Sequence, residues 1–176
     1  MGLPEVYFTM NNILLGNIVA LVGALCMVFA GFLKTRKKIL MLQCLQFGLL
    51  GVSNLILGAY TAVTSNVLGI ARNIFCIRHE FTMLWKIIFI AVQAALVLIF
   101  NTSGWIGFLP AIAACGLTWF LDLKDAMPLK VVIILTTVCW VIYDYSFQNY
   151  VTVFFDLATI VTNVVGIISM CKSNAA

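Results

Sequence analysis

Charge is the scarcest ingredient of this 176-residue chain: Asp, Glu, Lys and Arg together make up 9% of it, against 64% hydrophobic residues. A soluble domain is about one-quarter charged, and with a mean hydropathy of +1.13 this composition excludes one. There is one histidine, His79, and there are three prolines, of which only Pro110 falls inside an apolar segment. No HExxH, GxSxG or phosphate-binding loop occurs, so the motifs of soluble catalysis are missing and no enzyme activity is expected. The six cysteines form no CxxC pair and lie mostly in apolar stretches, where they read as small hydrophobes; no metal site and no cofactor are expected.

What is present is hydrocarbon-compatible sequence, enough for about seven spans of about 20 residues with little left over. Segments at roughly 13–33, 39–58, 60–77, 82–100, 104–121, 129–146 and 149–171 are continuously apolar. They must be helices, since bare backbone in lipid strands its donors and acceptors and a barrel needs alternating segments. The expected fold is therefore all-α: a polytopic membrane bundle forming a single integral domain over residues 1–176. MGLPEVYFTMNN lacks a basic region, so the first segment reads as a retained span and not as a signal peptide. Asn101-Thr102-Ser103 is a glycosylation sequon in form and a short polar turn in its plainer reading.

The net charge of +4 does not point to nucleic acid, because the basic residues are placed by topology. Lys34, Arg36, Lys37 and Lys38 follow the first segment, Arg78 and Lys86 flank the third connection, Lys124 and Lys130 the fifth, and Lys172 the last helix. The alternate connections carry no Lys or Arg, which predicts an outside N-terminus and a cytoplasmic C-terminus. The partners expected are the lipid bilayer and a small polar metabolite, and the sequence permits an oligomer.

A weak internal repeat accompanies this pattern. At an offset of 88, Gly16 matches Gly104, Phe32 matches Phe120 and Leu33 matches Leu121; at 91, Thr61 matches Thr152, and Ser53, Ser65 and Arg72 stand against Asp144, Asp156 and Asn163. Helices over 13–77 then correspond to helices over 104–171, with 82–100 as a linker helix that keeps the two units parallel. This 3+1+3 plan is that of the SWEET transporters.

The costly residues are few. An acid or base at the bilayer centre costs about 2.5–3.5 kcal/mol on insertion scales. Arg72 sits about twelve residues, roughly 18 Å, into its helix, and Asp156 about seven residues into the last one. Ser65 and Arg72 share one face, as Asp156 and Asn163 share another, and the two faces are expected to look at each other. These four, with Trp140 and Asp144, are the candidates for a substrate pathway. Each has a plainer reading: a tie between helices for Asp156, snorkelling or ion pairing for Arg72, surface solvation for Asp144 at the membrane edge, and an interfacial aromatic belt for Trp140, Tyr143, Tyr145, Tyr60 and Tyr150. Gln43 and Gln46 on the second helix, Asn17 and Gln93 carry the same ambiguity between lining a pathway and bonding a neighbour.

At LILGAYTAVTSNVLGIAR, LPAIAACGLTWFL and CWVIYDY the chain resembles the YgjV family of bacterial inner-membrane proteins over nearly its whole length. The resemblance implies a multi-span inner-membrane protein and carries over no substrate and no catalytic residue; Arg72 is its matched charge. The plan also resembles SWEET and PnuC facilitators at the level of the fold, without their set of hinge prolines. The expected function is a SWEET-like small-metabolite facilitator, and the alternative is a non-transporting scaffold or assembly component.

Overall fold

The computed structural model describes residues 10–30, 36–120 and 126–174. Lys34, Lys124, Phe32, Leu33 and Leu121, which figured in the charge pattern and the repeat, lie outside the described residues. Seven α-helices run α1 Met10–Ala30, α2 Arg36–Ile56, α3 Tyr60–Arg78, α4 Met83–Phe100, α5 Leu109–Trp119, α6 Ala126–Ser146 and α7 Tyr150–Asn174. The all-α bundle expected from hydropathy is thus observed, with no strand among the described residues. Only the fifth helix departs from its expected length. Pro110 has a fixed φ and no N–H, so it fits the first turn of a helix and not its interior. The α-helix accordingly begins at Leu109, and Ile106–Phe108 precede it as a 3₁₀ turn. Before that, Asn101 ties its own loop, donating to the Gly104 carbonyl at 2.7 Å and accepting from the Ser103 N–H at 3.0 Å. The sequon is a polar turn.

Six helices pack in a closed ring: α1 on α2, α2 on α3, α3 on α5, α5 on α6, α6 on α7, and α7 back on α1. Helix α4 packs on the perimeter against α3 and α5. The polarity of the ring is the reverse of a soluble protein. Leu14, Leu45, Val67, Leu98, Ile112, Leu135, Phe154 and Val161 face outward, whereas Ser53, Asn54, Asn73, Gln93, Asp144 and Asn149 are buried. Such a continuous apolar exterior would not stay dispersed in water, and it fits hydrocarbon. By length and composition, Met83–Phe100 and Tyr150–Lys172 each suffice to cross a membrane, and shorter apolar stretches run over Met10–Cys26, Leu40–Ile56 and Ile106–Trp119.

Two tight turns hold the ring together at one end. After α2, Gly58 takes φ +68°, its N–H donates to Leu55 O, and the Ala59 N–H donates to Asn54 O at 2.8 Å. After α6, Gln148 takes φ +57°, its N–H donates to Tyr145 O, and the Asn149 N–H donates to Asp144 O at 2.9 Å. Both are Schellman endings, in which the left-handed residue lets two N–H groups return to carbonyls of the last turn. Gly58 adopts that φ freely, while Gln148 does so under strain. The Asn17 amide of α1 braces the second turn by donating to Gln148 O at 2.9 Å and accepting from the Val151 N–H at 3.0 Å. The turns lie 90 residues apart, one fewer than the register read from sequence. A spacing of 90 sets Asn54 against Asp144, Asn66 against Asp156, Asn73 against Asn163 and Tyr60 against Tyr150.

Close packing at this end depends on Gly16. Ser53 donates its hydroxyl to the Gly16 carbonyl at 2.8 Å, and a Cβ on Gly16 would lie 2.8 Å from Cγ of the fully buried Leu57. Overpacking of that kind costs about 1–3 kcal/mol. Gly16→Ala should therefore lower the thermal unfolding midpoint in detergent. Gly48→Ala, with nothing within 4 Å of its new Cβ, should leave the midpoint unchanged or slightly raised. Equal losses in the two variants would contradict this packing.

Candidate functional site

The site is built mainly on one face of α3. Ser65, Asn66, Gly69, Arg72 and Asn73 recur at three- and four-residue intervals, so they form a stripe along the helix, and all five are buried. Gly69 lets the Phe47 ring of α2 close on the stripe, since a Cβ there would meet the ring at 3.1 Å. The Arg72 guanidinium, 5% exposed, crosses to α5 and donates through Nη1 to Thr118 Oγ1 at 2.9 Å. Thr118 spends its own hydroxyl proton on the Ala114 carbonyl, at 2.6 Å, which leaves its lone pairs for Arg72. Nη2 reaches Asn73 Oδ1 at 3.4 Å, and Gln43 Oε1 accepts from Asn73 Nδ2 at 3.2 Å. From α4, Gln93 Nε2 donates to Ser65 Oγ at 2.9 Å, and Ser65 passes its proton to Thr61 O at 2.9 Å.

Between these groups lies a cavity of about 60 Å³, lined among others by Ser65, Asn66, Arg72, Gln93, Thr118 and Trp140. Three residues of this lining each turn a buried polar atom to no partner: Asn66 Nδ2, Arg72 Nε and Gln93 Oε1. A guanidinium carries five donors and no acceptor, so its charge here is solvated by hydroxyl and amide oxygens and left unneutralised. The acids in the described residues are Glu80, Asp144 and Asp156, and none of them pairs with Arg72.

Above the cavity, toward the paired turns, the bundle is closed. Tyr143, Ala59 and Ala62 form a fully buried cluster, with Trp140, Phe147, Ile106 and Leu109 packed against it. The Tyr143 and Thr61 hydroxyls share a hydrogen bond of 2.8 Å, and the Ala62 N–H adds one of 3.4 Å to Tyr143 Oη. Next to them Asn149 joins the two turns, with Nδ2 3.3 Å from Asp144 Oδ1 and 3.4 Å from Asn54 Oδ1 and Oδ1 accepting from the Thr152 hydroxyl at 2.8 Å.

The six pathway candidates therefore separate. Ser65, Arg72 and Trp140 meet at the cavity. Asp144 is 1% exposed, which overturns its reading as a solvated membrane-edge residue: Asn149, folding back from the start of α7, covers it. Trp140 and Tyr143 belong to the interior and not to an aromatic belt, while Tyr60, Tyr145 and Tyr150 are exposed as a belt requires. Asp156 and Asn163 do not line the cavity. Helix α7 packs on α6 and α1, so the expected facing of the Arg72 and Asp156 stripes is not observed. Asp156 is only partly buried and keeps Oδ2 without a partner, and Asn163 turns back to its own Thr159 carbonyl at 2.8 Å. Lys86 was read as a topological charge; it is buried and donates to Trp119 O at 3.0 Å, where it meets a carbonyl left over at the end of α5. Sequence reading passed over Asn66, although its seven-residue spacing from Asn73 on the Arg72 face marks it.

A family model described as bacterial inner membrane protein, Imp-YgjV, matches residues 14–174. The chain belongs to this family, and the match takes in parts of all seven helices. No curated protein and no solved structure matches the chain.

Proposed function

We propose that this inner-membrane family member is a facilitator of small polar metabolites, SWEET-like in plan, with its pathway between α1–α3 and α5–α7. The observation that carries the reading is the convergence of three unpartnered buried polar atoms, from Asn66, Arg72 and Gln93, on one cavity inside a membrane bundle. Intramembrane polar groups are costly, and those left unsatisfied in one conformation are the ones a solute can satisfy. The helix ring supports two related units, because exchanging α1–α3 with α5–α7 turns the α1–α7 contact into the α5–α3 contact. The matched turns at Gly58 and Gln148 support it as well. In this reading Ser65, Arg72 and Trp140 form the binding station, and the Tyr143–Thr61 and Asn149 layer is a closed gate on one side.

One observation favours the second reading, a non-transporting scaffold: drug-sized ligands occupy roughly 300–1,000 Å³, and the cavity is about 60 Å³. In the facilitator reading the bundle must open for a metabolite to enter. Ligands found by thermal shift and then tested for uptake into proteoliposomes separate the two readings. Wild-type protein should take up at least one hit, Arg72→Gln should lose about tenfold or more of that uptake, and Asn163→Ala should keep it. Uptake unchanged in Arg72→Gln sinks the station, and no uptake of any hit favours the scaffold.

We also propose an outside N-terminus and a cytoplasmic C-terminus, supported by Lys37, Lys38, Arg78 and Lys172 at one end of the bundle and by the lack of Lys or Arg in the turns at the other. In a cysteine-free background, an impermeant thiol reagent added to intact cells should label Thr102→Cys and spare Thr82→Cys. The opposite pattern reverses the orientation.

A further inference from the structure

We infer that the cavity beside Arg72 is a binding site for a small monovalent anion, and that the solutes passed by this protein carry such a group; the second half rests on the facilitator reading above. Arg72 stands in a hydrocarbon-facing bundle with no carboxylate of the described residues against it, held by Thr118 and Asn73, both neutral. Neutral oxygens solvate a guanidinium without cancelling its charge, and in a low-dielectric interior an uncancelled charge is expensive. The two donors left over, Arg72 Nε and Asn66 Nδ2, belong to side chains 5% and 4% exposed and both line the cavity. They are the hydrogen-bonding complement of an anion.

Size narrows the ligand. A water needs about 10–15 Å³ of such volume, so in this closed conformation about 60 Å³ takes a halide or a one-carbon carboxylate together with a water and has no room for a sugar acid. Gln93 Oε1 is the one acceptor among the orphaned atoms of the cavity lining, and it suits the accompanying water or a donor group on the solute. The Gln93 orientation is fixed by its donation to Ser65, whose proton is already committed to Thr61 O. The same charge recognises a free inorganic ion and the carboxylate end of a metabolite.

Purified full-length protein, exchanged into sodium gluconate and titrated with sodium bromide or sodium formate, tests this by thermal shift. The unfolding midpoint should rise saturably with bromide, formate or both. Arg72→Gln should abolish the shift, and Asn66→Leu, which removes one donor at similar volume, should weaken apparent affinity about tenfold, the worth of one hydrogen bond to a charged group. If Arg72→Gln does not fold, Asn66→Leu carries the comparison. A shift by bromide alone assigns an inorganic ion, and one by formate assigns a carboxylate-bearing solute; either supports the site. No saturable shift with either salt, or a shift that persists undiminished in the variants, overturns it. Uptake has no part in this readout. A bromide shift in a protein that transports nothing keeps the site and removes the facilitator, whereas uptake of an uncharged solute without any anion shift does the reverse.

Discussion

A guanidinium inside hydrocarbon is the constraint from which most of this interior follows. Arg72 is buried on α3, and no acid among the described residues comes to it. It is instead met by oxygens from its own helix and from a neighbour: Asn73 beside it on α3 and Thr118 from α5, with the Gln43 amide of α2 behind Asn73. Thr118 is held in turn by a carbonyl of its own helix, and across the cavity Gln93 is held by Ser65. Helix α4 therefore belongs to the site although it stands outside the ring, since it brings Gln93 to the far wall of the cavity. What this network leaves unmade is as informative as what it makes. Among the described residues, three of the four unpaired buried atoms collect around one space, and the fourth, Asp156 Oδ2, lies apart on α7.

At the other end, the two Schellman turns meet through Asn149, which bridges Asp144 and Asn54. These two residues occupy the same position in their turns, the carbonyl that accepts the long return hydrogen bond. Tyr143, Ala59 and Ala62 make this end closely packed, while the region near Arg72 keeps unfilled polar space. The two turns share a geometry, but the helices that follow them differ in chemistry: Asn66 on α3 faces the cavity, and Asp156 on α7 sits away from it. The cation belongs to one half only.

Hydropathy was enough to read seven helices and most of their ends, because in lipid the backbone has only one way to satisfy itself. The exception was α5, where Pro110 moves the helix start, a local rule that a window average hides. The cost of burying Arg72 was legible from its depth along α3, but its partner Thr118 lies 46 residues away, on a helix whose rotation the sequence does not give. Depth counting also ranked the two acids in the wrong order. It placed Asp144 near a membrane edge and could not see that the chain turns at Gln148 and lays Asn149 over it. The likeness of the two turns was hidden for a related reason: a left-handed φ is carried by Gly58 in one turn and by Gln148 in the other, and residue identity shows no match between them.

The central claim is that Arg72 is held by neutral groups around a cavity and not by an acid across the bundle. Paired thermodynamic cycles measure this directly, with Arg72→Gln combined once with Thr118→Val and once with Asp156→Asn and unfolding followed in the same detergent. The account predicts a coupling energy of about 0.5–3 kcal/mol for the first pair and additivity within about 0.5 kcal/mol for the second. Coupling to Asp156 with none to Thr118 would contradict it.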